Sequence, residues 1–266
     1  VDQPAASPKP AESSDGSASL PLGGSRGRIN AGETARPAAV GQLGRIGHPD
    51  HVRLTAYLDE IEHALTVTLK ATADHGDPLA LRLDVGLPGN VPLLVGHDLD
   101  NYLFPVAQRL APRIGTRLTT VWGTKGHGSE SWIRLEDARS ISTPRSDIIA
   151  TAGHSAGQLA AVRTTASTDR VAFKQQIHNQ LHRARHLPEG PVHLQVSLRS
   201  GPHRNWLNLW KPTIDALAPV LGSSRPGRSW HPRDGRITDL GLHRHTDPEL
   251  GHDVEITIWV SPAQVT

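Results

Sequence analysis

Leu79, Leu81, Leu83 and Val85 alternate with Ala80, Arg82 and Asp84. Period-two alternation predicts a strand with one buried face. The same pattern returns in Val192, Leu194, Val196 and Leu198, interleaved with His193, Gln195, Ser197 and Arg199. A helical spacing precedes each strand. Leu54, Leu58, Ile61, Leu65 and Leu69 form one apolar stripe, with Asp50 as its candidate cap, and Phe173, Ile177, Leu181 and Ala184 form the other. A hairpin is predicted after each strand. Thr119–Trp122 and Ser131–Leu135 flank a Gly/Ser-rich turn, and Ile237–His243 and Val254–Val260 flank Thr246–Gly251.

Between strand and hairpin the chain repeats itself. Asn101, Pro105, Leu110, Ala111, Pro112 and Gly115 recur without a gap as Asn208, Pro212, Leu217, Ala218, Pro219 and Gly222. A helix is expected over roughly 99–110 and again over 206–217. Proline inside a helix removes a backbone donor and clashes one turn back, so each helix either begins near its proline or kinks there. The expected fold class is therefore α/β (α+β): two similar helix–strand–helix–hairpin units forming a covalent pseudo-dimer. The units are placed at 46–140 and 169–266, joined by a polar linker over 141–168.

Hydrophobic residues make up 36% of the 266-residue chain, and the poorest stretch is the N-terminus. Residues 1–45, rich in Ala, Ser, Pro and Gly, are expected to form a disordered tail. No apolar run is long enough for a secretory core or a membrane span, so no membrane partner is expected. There is no cysteine, which excludes disulfides and thiolate zinc sites. The formal charge is only +2, but Arg and His gather in the second half, among them Arg204, Arg225, Arg228, Arg233 and Arg236. Such a concentration suits a polyanion; an ordinary Arg-rich surface is the plainer reading.

Asp98 and Asp100 stand before the first repeated helix only. Two carboxylates two residues apart in an extended segment share a side and can bind one hard cation. Alternatively, one of them caps the helix. Trp206, Trp210 and Trp230 offer core packing or base stacking. His178, His182 and His186 lie four apart, with His243, His245 and His252 farther on, but no closed zinc pattern is present and a pH-responsive polar surface is the simpler reading.

The stretch Asp98-Leu99-Asp100-Asn101, continued in the second copy by Lys211, Asp215, Ala216 and Leu217, resembles the signature of the RusA-type Holliday-junction resolvases. Asp234 falls where that family carries a downstream metal-binding Asp, and Ile237 and Asp239 continue the strand. The resemblance implies a Mg²⁺-dependent (or Mn²⁺-dependent) endonuclease acting on branched or structured DNA in recombination and repair, in a cytoplasmic, nucleoid-associated setting. It implies metal binding by Asp98, Asp100 and Asp234 and phosphate engagement by Lys211, while the basic concentration of the second half adds Arg204, Arg233 and Arg236 as candidate DNA contacts. The departures are as specific as the matches. Half one has Phe104 and Gln108 at the positions of Lys211 and Asp215, and only Glu130 as a loose downstream acid. Half two has Asn205 and Leu207 at the positions of Asp98 and Asp100. Two readings follow: one composite site shared between the halves, with a homodimer needed for paired cuts, or a catalytically degenerate nucleic-acid-binding or scaffold protein.

Overall fold

The computed structural model describes residues 27–30, 49–71, 76–140 and 158–263. Its strands are β1 (Gly27–Asn30), β2 (Leu79–Leu87), β3 (Leu118–His127), β4 (Glu130–Asp137), β5 (Gln158–Thr164), β6 (Val192–Ser200), β7 (Ile237–Thr246) and β8 (Val254–Pro262). The helices are α1 (Pro49–Ala64), α2 (Thr66–Ala71), α3 (Leu99–Ile114), α4 (Val171–Gln180), α5 (Leu207–Asp215) and α6 (Ala218–Leu221). The strands form one mixed sheet in the order β1-β4-β2-β3-β7-β6-β8-β5.

That order reads the same from either edge. Outward from the antiparallel β3–β7 seam, half one runs β2, β4, β1 and half two runs β6, β8, β5. The directions match: β3 pairs β2 in parallel as β7 pairs β6, and the outer pairs are antiparallel on both sides. Even the irregularity recurs, since the register slips between Leu79 and Ala80 against β3 and between Val192 and His193 against β7. At the seam Thr120 faces His243, Trp122 faces Gly241 and Thr124 faces Asp239, which centres the arrangement on Trp122 and Gly241.

One cluster of buried side chains joins Ile61, Leu103, Phe173 and Trp210 of the helices to Leu81, Leu83, Leu194, Val196, Leu240 and Ile258 of the strands. The intervening strand positions carry an ion-pair lattice instead. Arg82 pairs with Asp84, Arg134 with Glu136, and Arg199 with Glu255. The period-two alternation in the sequence is thus the division between a packed face and a charged face.

The structure departs from the sequence pattern at several points. Residues 27–30 are a strand paired with β4, not part of a structureless tail. The remainder of 1–45 lies outside the described residues. β5 falls within the expected linker 141–168 and pairs with β8 along its whole length; 141–157 lie outside the described residues. Asp50 lies inside the first turn of α1, which opens on Pro49, a residue that has no amide to leave unbonded there. The first stripe is split at Leu65, where Thr66 turns its hydroxyl back onto the Glu62 carbonyl at 2.9 Å. Neither repeated helix begins at its proline. α3 starts six residues before Pro105 and contains Pro112 as well, and α5 contains Pro212.

His243 sits at the seam with no exposed surface, its Nδ1 3.3 Å from the Thr120 hydroxyl. Burial, with His245 and His193 nearby, depresses its pKa to about 3. A ring that titrates near 6.5 in the unfolded chain therefore favours folding when neutral, and that contribution is lost as pH falls from about 6.5 toward 3. Between pH 7 and pH 5 the wild-type melting temperature should fall more steeply than that of His243→Gln. Parallel profiles in a thermal melt would remove His243 as the source of acid sensitivity.

Candidate metal centre

The segment entering α3 turns sharply. Gly96 and His97 both adopt left-handed backbone conformations, with φ of 66° and 58°. For His97 that conformation is uncommon and is held by its surroundings, including a 2.8 Å contact between its Nδ1 and the Tyr102 hydroxyl. The turn delivers Asp98 to the helix start, with Asp100 in the first turn. Asp98 occupies the cap position, yet its carboxylate accepts no bond from a helix amide; Asn101 donates to its Oδ2 at 3.2 Å. Capping therefore does not explain this acid. Asp100 is 4% exposed.

From the other half, a short 3₁₀ turn at Asp234–Arg236 leads into β7 and presents Asp234 to the same point. Carboxylate oxygens of Asp98, Asp100 and Asp234 all lie within 4.8 Å of one another. Among the described residues this is the only cluster of three or more potential ligands so grouped. Lys211 of α5 reaches into it, 3.3 Å from Asp100, 3.2 Å from Asp234 and 3.4 Å from Asp215. The structure thus brings together Asp98 and Asp100 from half one with Lys211, Asp215 and Asp234 from half two.

Lys125 also belongs to this centre, although no motif in the sequence marks it. Its ammonium, almost fully buried, donates to the His97 carbonyl at 2.9 Å and to the Gly235 carbonyl at 2.7 Å. One side chain from β3 thereby ties the turn before α3 to the turn before β7. Contact there is close: a Cβ on Gly235 would lie 2.9 Å from the Leu94 carbonyl oxygen and 3.4 Å from Asp98 Oδ1. The available signal was a lone Lys in the otherwise uncharged run Leu118–Gly126, which breaks the pattern of a buried strand.

Electrostatics divide the acids. Burial, then the charges of Asp234 and Asp100, raises the Asp98 pKa to about 6. Burial also raises Asp100, against the pull of Lys211. Burial lowers Lys125 to about 8, against the attraction of Asp98, Asp234 and Asp100. Lys211 loses hydration, but the carboxylates of Asp100, Asp234 and Asp215 outweigh that loss and hold it protonated. Four carboxylates face two ammonium groups. A divalent cation bound by the three clustered acids would balance that excess, and oxygen ligands of this kind suit Mg²⁺ or Mn²⁺.

The remaining predicted contacts fare differently. Arg236 is 2% exposed and spends its guanidinium on the carbonyls of Gly190, Leu221 and Pro188. It is a structural brace two residues from Asp234, which corrects its assignment as a DNA contact. Arg233 pairs with Glu189, and Arg204 donates to the Ala166 carbonyl at 3.0 Å. Trp206 and Trp210 are buried, as core packing requires, while Trp230 is half-buried on a loop. Helix α4 ends at Gln180, so His182 and His186 do not continue a helical row with His178.

No family model matches the chain, and no curated protein matches it. Among solved structures it is similar to one described as an FtsZ dimer, empty, from M. jannaschii, at 10% identity and a TM-score of 0.27. The match covers 80% of this chain and 51% of that one, so the chain spans about half of that structure's length, and a score so low carries no argument.

Asp98 holds its proton more tightly folded than unfolded, so its ionisation between about pH 4 and pH 6 costs stability. Asp98→Asn should therefore melt above wild type at pH 8 in EDTA and close to it at pH 4; equal melting at both would show that ionising Asp98 costs the fold nothing. Lys125→Met leaves two buried carbonyls without a donor and should lower unfolding free energy by roughly 2–4 kcal/mol in urea titrations. A loss below the error of the titration would show that the clamp is dispensable.

Proposed function

We propose that this protein is a divalent-metal-dependent endonuclease acting on branched or structured DNA, with one composite site per chain. The carrying observation is the Asp98–Asp100–Asp234 cluster, contributed by both halves and accompanied by Lys211. Buried acids placed close together destabilise a fold, and such arrangements concentrate at functional sites. A metal held there would stabilise the charge that grows on a phosphate during hydrolysis. The protein's own groups have separable tasks: Asp98, Asp100 and Asp234 supply oxygen ligands, Lys211 engages a phosphate oxygen, and Asp215 positions Lys211. The repeated topology supports descent from a duplicated unit resembling the RusA-type resolvases, with the two halves now facing each other as a pseudo-dimer.

The mirror position supports a single site. There, Phe104 takes the place of Lys211 and meets Trp210 edge-on, with ring centroids 6.2 Å apart, and Trp210 packs on Trp206 at 4.9 Å. An aromatic block occupies what would be the second site. Paired cuts across a junction would then require two chains. A second reading, a non-catalytic DNA-binding scaffold, draws on the fact that Lys211 already pairs with Asp100, Asp215 and Asp234.

The discriminating experiment offers a four-way junction, a flap and a linear duplex, each with EDTA, Mg²⁺ or Mn²⁺. Metal-dependent cutting of the branched substrates is expected. Asp98→Asn and Asp234→Asn should each reduce it by at least about a hundredfold, a scale typical for removing a group that stabilises transition-state charge, while retaining DNA affinity. Salt-sensitive binding without cutting by wild type in either metal would favour the scaffold.

A further inference from the structure

The connection leading into the central strand differs between the halves. In half one, residues 115–117 join α3 directly to β3; in half two, residues 222–236 separate α6 from β7. The added residues form a closed hairpin. Ser223 bridges to Pro232, Ser224 N–H donates to the His231 carbonyl at 2.8 Å, and Arg233 N–H to the Gly222 carbonyl at 2.9 Å. Its tip is a tight turn, Arg225-Pro226-Gly227-Arg228. The Arg228 N–H donates to the Arg225 carbonyl at 3.0 Å and Gly227 has φ of 81°, as a type II turn requires. This geometry fixes the two exposed arginines at the corners of the turn. Residues 222–233 contain no acid.

At the base of the hairpin, Trp230 adopts φ of 65°, a genuine outlier for a bulky side chain. Its ring lies over the Lys174 ammonium, 5.6 Å to the centroid, and meets the His178 ring edge-on at 5.7 Å. Lys174 is 3.4 Å from Asp215, which is itself 3.4 Å from Lys211. A continuous ladder, Trp230–Lys174–Asp215–Lys211, therefore runs from the hairpin to the acid cluster.

We propose that this hairpin is the branch-reading element of the site: Arg225 and Arg228 hold phosphates of the DNA backbone and Trp230 stacks on an unpaired base beside the branch. The inference rests on the nuclease reading for the identity of the polyanion as DNA. Arginines held at the corners of an acid-free turn match a phosphate chain, and a half-buried indole with the Lys174 ammonium over one face joins an aromatic ring to a cation beside them. Because only half two carries the hairpin, one orientation of the branch is favoured over its mirror image.

The test uses the full-length protein in EDTA with three labelled DNAs: a fork with single-stranded arms, a four-way junction and a duplex. Arg225→Ala/Arg228→Ala should weaken binding to all three by about tenfold and reduce the salt slope by about two phosphates' worth. Trp230→Ala should weaken fork binding by about tenfold while sparing the duplex, and Trp230→Phe, which retains an aromatic face, should restore most of the fork affinity. Binding of all variants within about twofold of wild type would overturn the proposal, as would equal loss on fork and duplex with Trp230→Ala. If wild type discriminates fork from duplex through Trp230 but cuts nothing in Mg²⁺ or Mn²⁺, the nuclease reading falls and this one stands. If it cuts and the variants cut with unchanged selectivity, the reverse holds.

Discussion

The buried ammonium of Lys125 is the interaction on which the site depends. Three acids grouped as closely as Asp98, Asp100 and Asp234 repel one another, and two of them come from one half and one from the other. Something must hold the two backbones together against that repulsion. Lys125 does so by donating to a carbonyl on each side, His97 and Gly235, so its charge offsets the acids while its hydrogen bonds fix the turns that bear them. The glycine at 235 is part of the same constraint, because a side chain there would collide with the Leu94 carbonyl. Arg236 completes the support by bracing the turn from behind through three carbonyls.

The sheet makes this meeting possible. Pairing β3 with β7 at the centre brings α3 and α5 together, so that Lys211, midway along α5, can approach Asp100 in the first turn of α3. A symmetric arrangement would give two such meetings. Here the second is filled by Phe104, Trp210 and Trp206, which contribute apolar burial instead of charge. The chain thus combines one charged crossing with one packed crossing. The packed crossing has no buried charge to balance, while the charged one bears the cost of its acids and gains a cation-binding geometry.

Much of this was legible in the sequence where side-chain periodicity carried the signal. Leu79–Val85 and Val192–Leu198 became β2 and β6, and the repeat around Pro105 and Pro212 marked α3 and α5. The juxtaposition of Asp98 and Asp100 with Lys211 and Asp234 was one of the two arrangements that the resemblance left open. β1 and β5 could not, because short edge strands owe their pairing to a neighbour and not to their own pattern. The prolines left a choice between a late start and a kink, and both helices run through them, with Leu103 and Trp210 packed into the core. Arg236 misled most. A guanidinium is counted as surface charge in a sequence, and only the fold reveals the three carbonyls that bury it.

Titration of the full-length chain with Mn²⁺, following the ion's own paramagnetic signal, tests the composite centre most directly. One ion per chain is expected, with affinity lost in both Asp98→Asn and Asp234→Asn because each half supplies part of the coordination. No bound ion, or an ion whose affinity survives either substitution unchanged, would contradict a centre assembled from both halves.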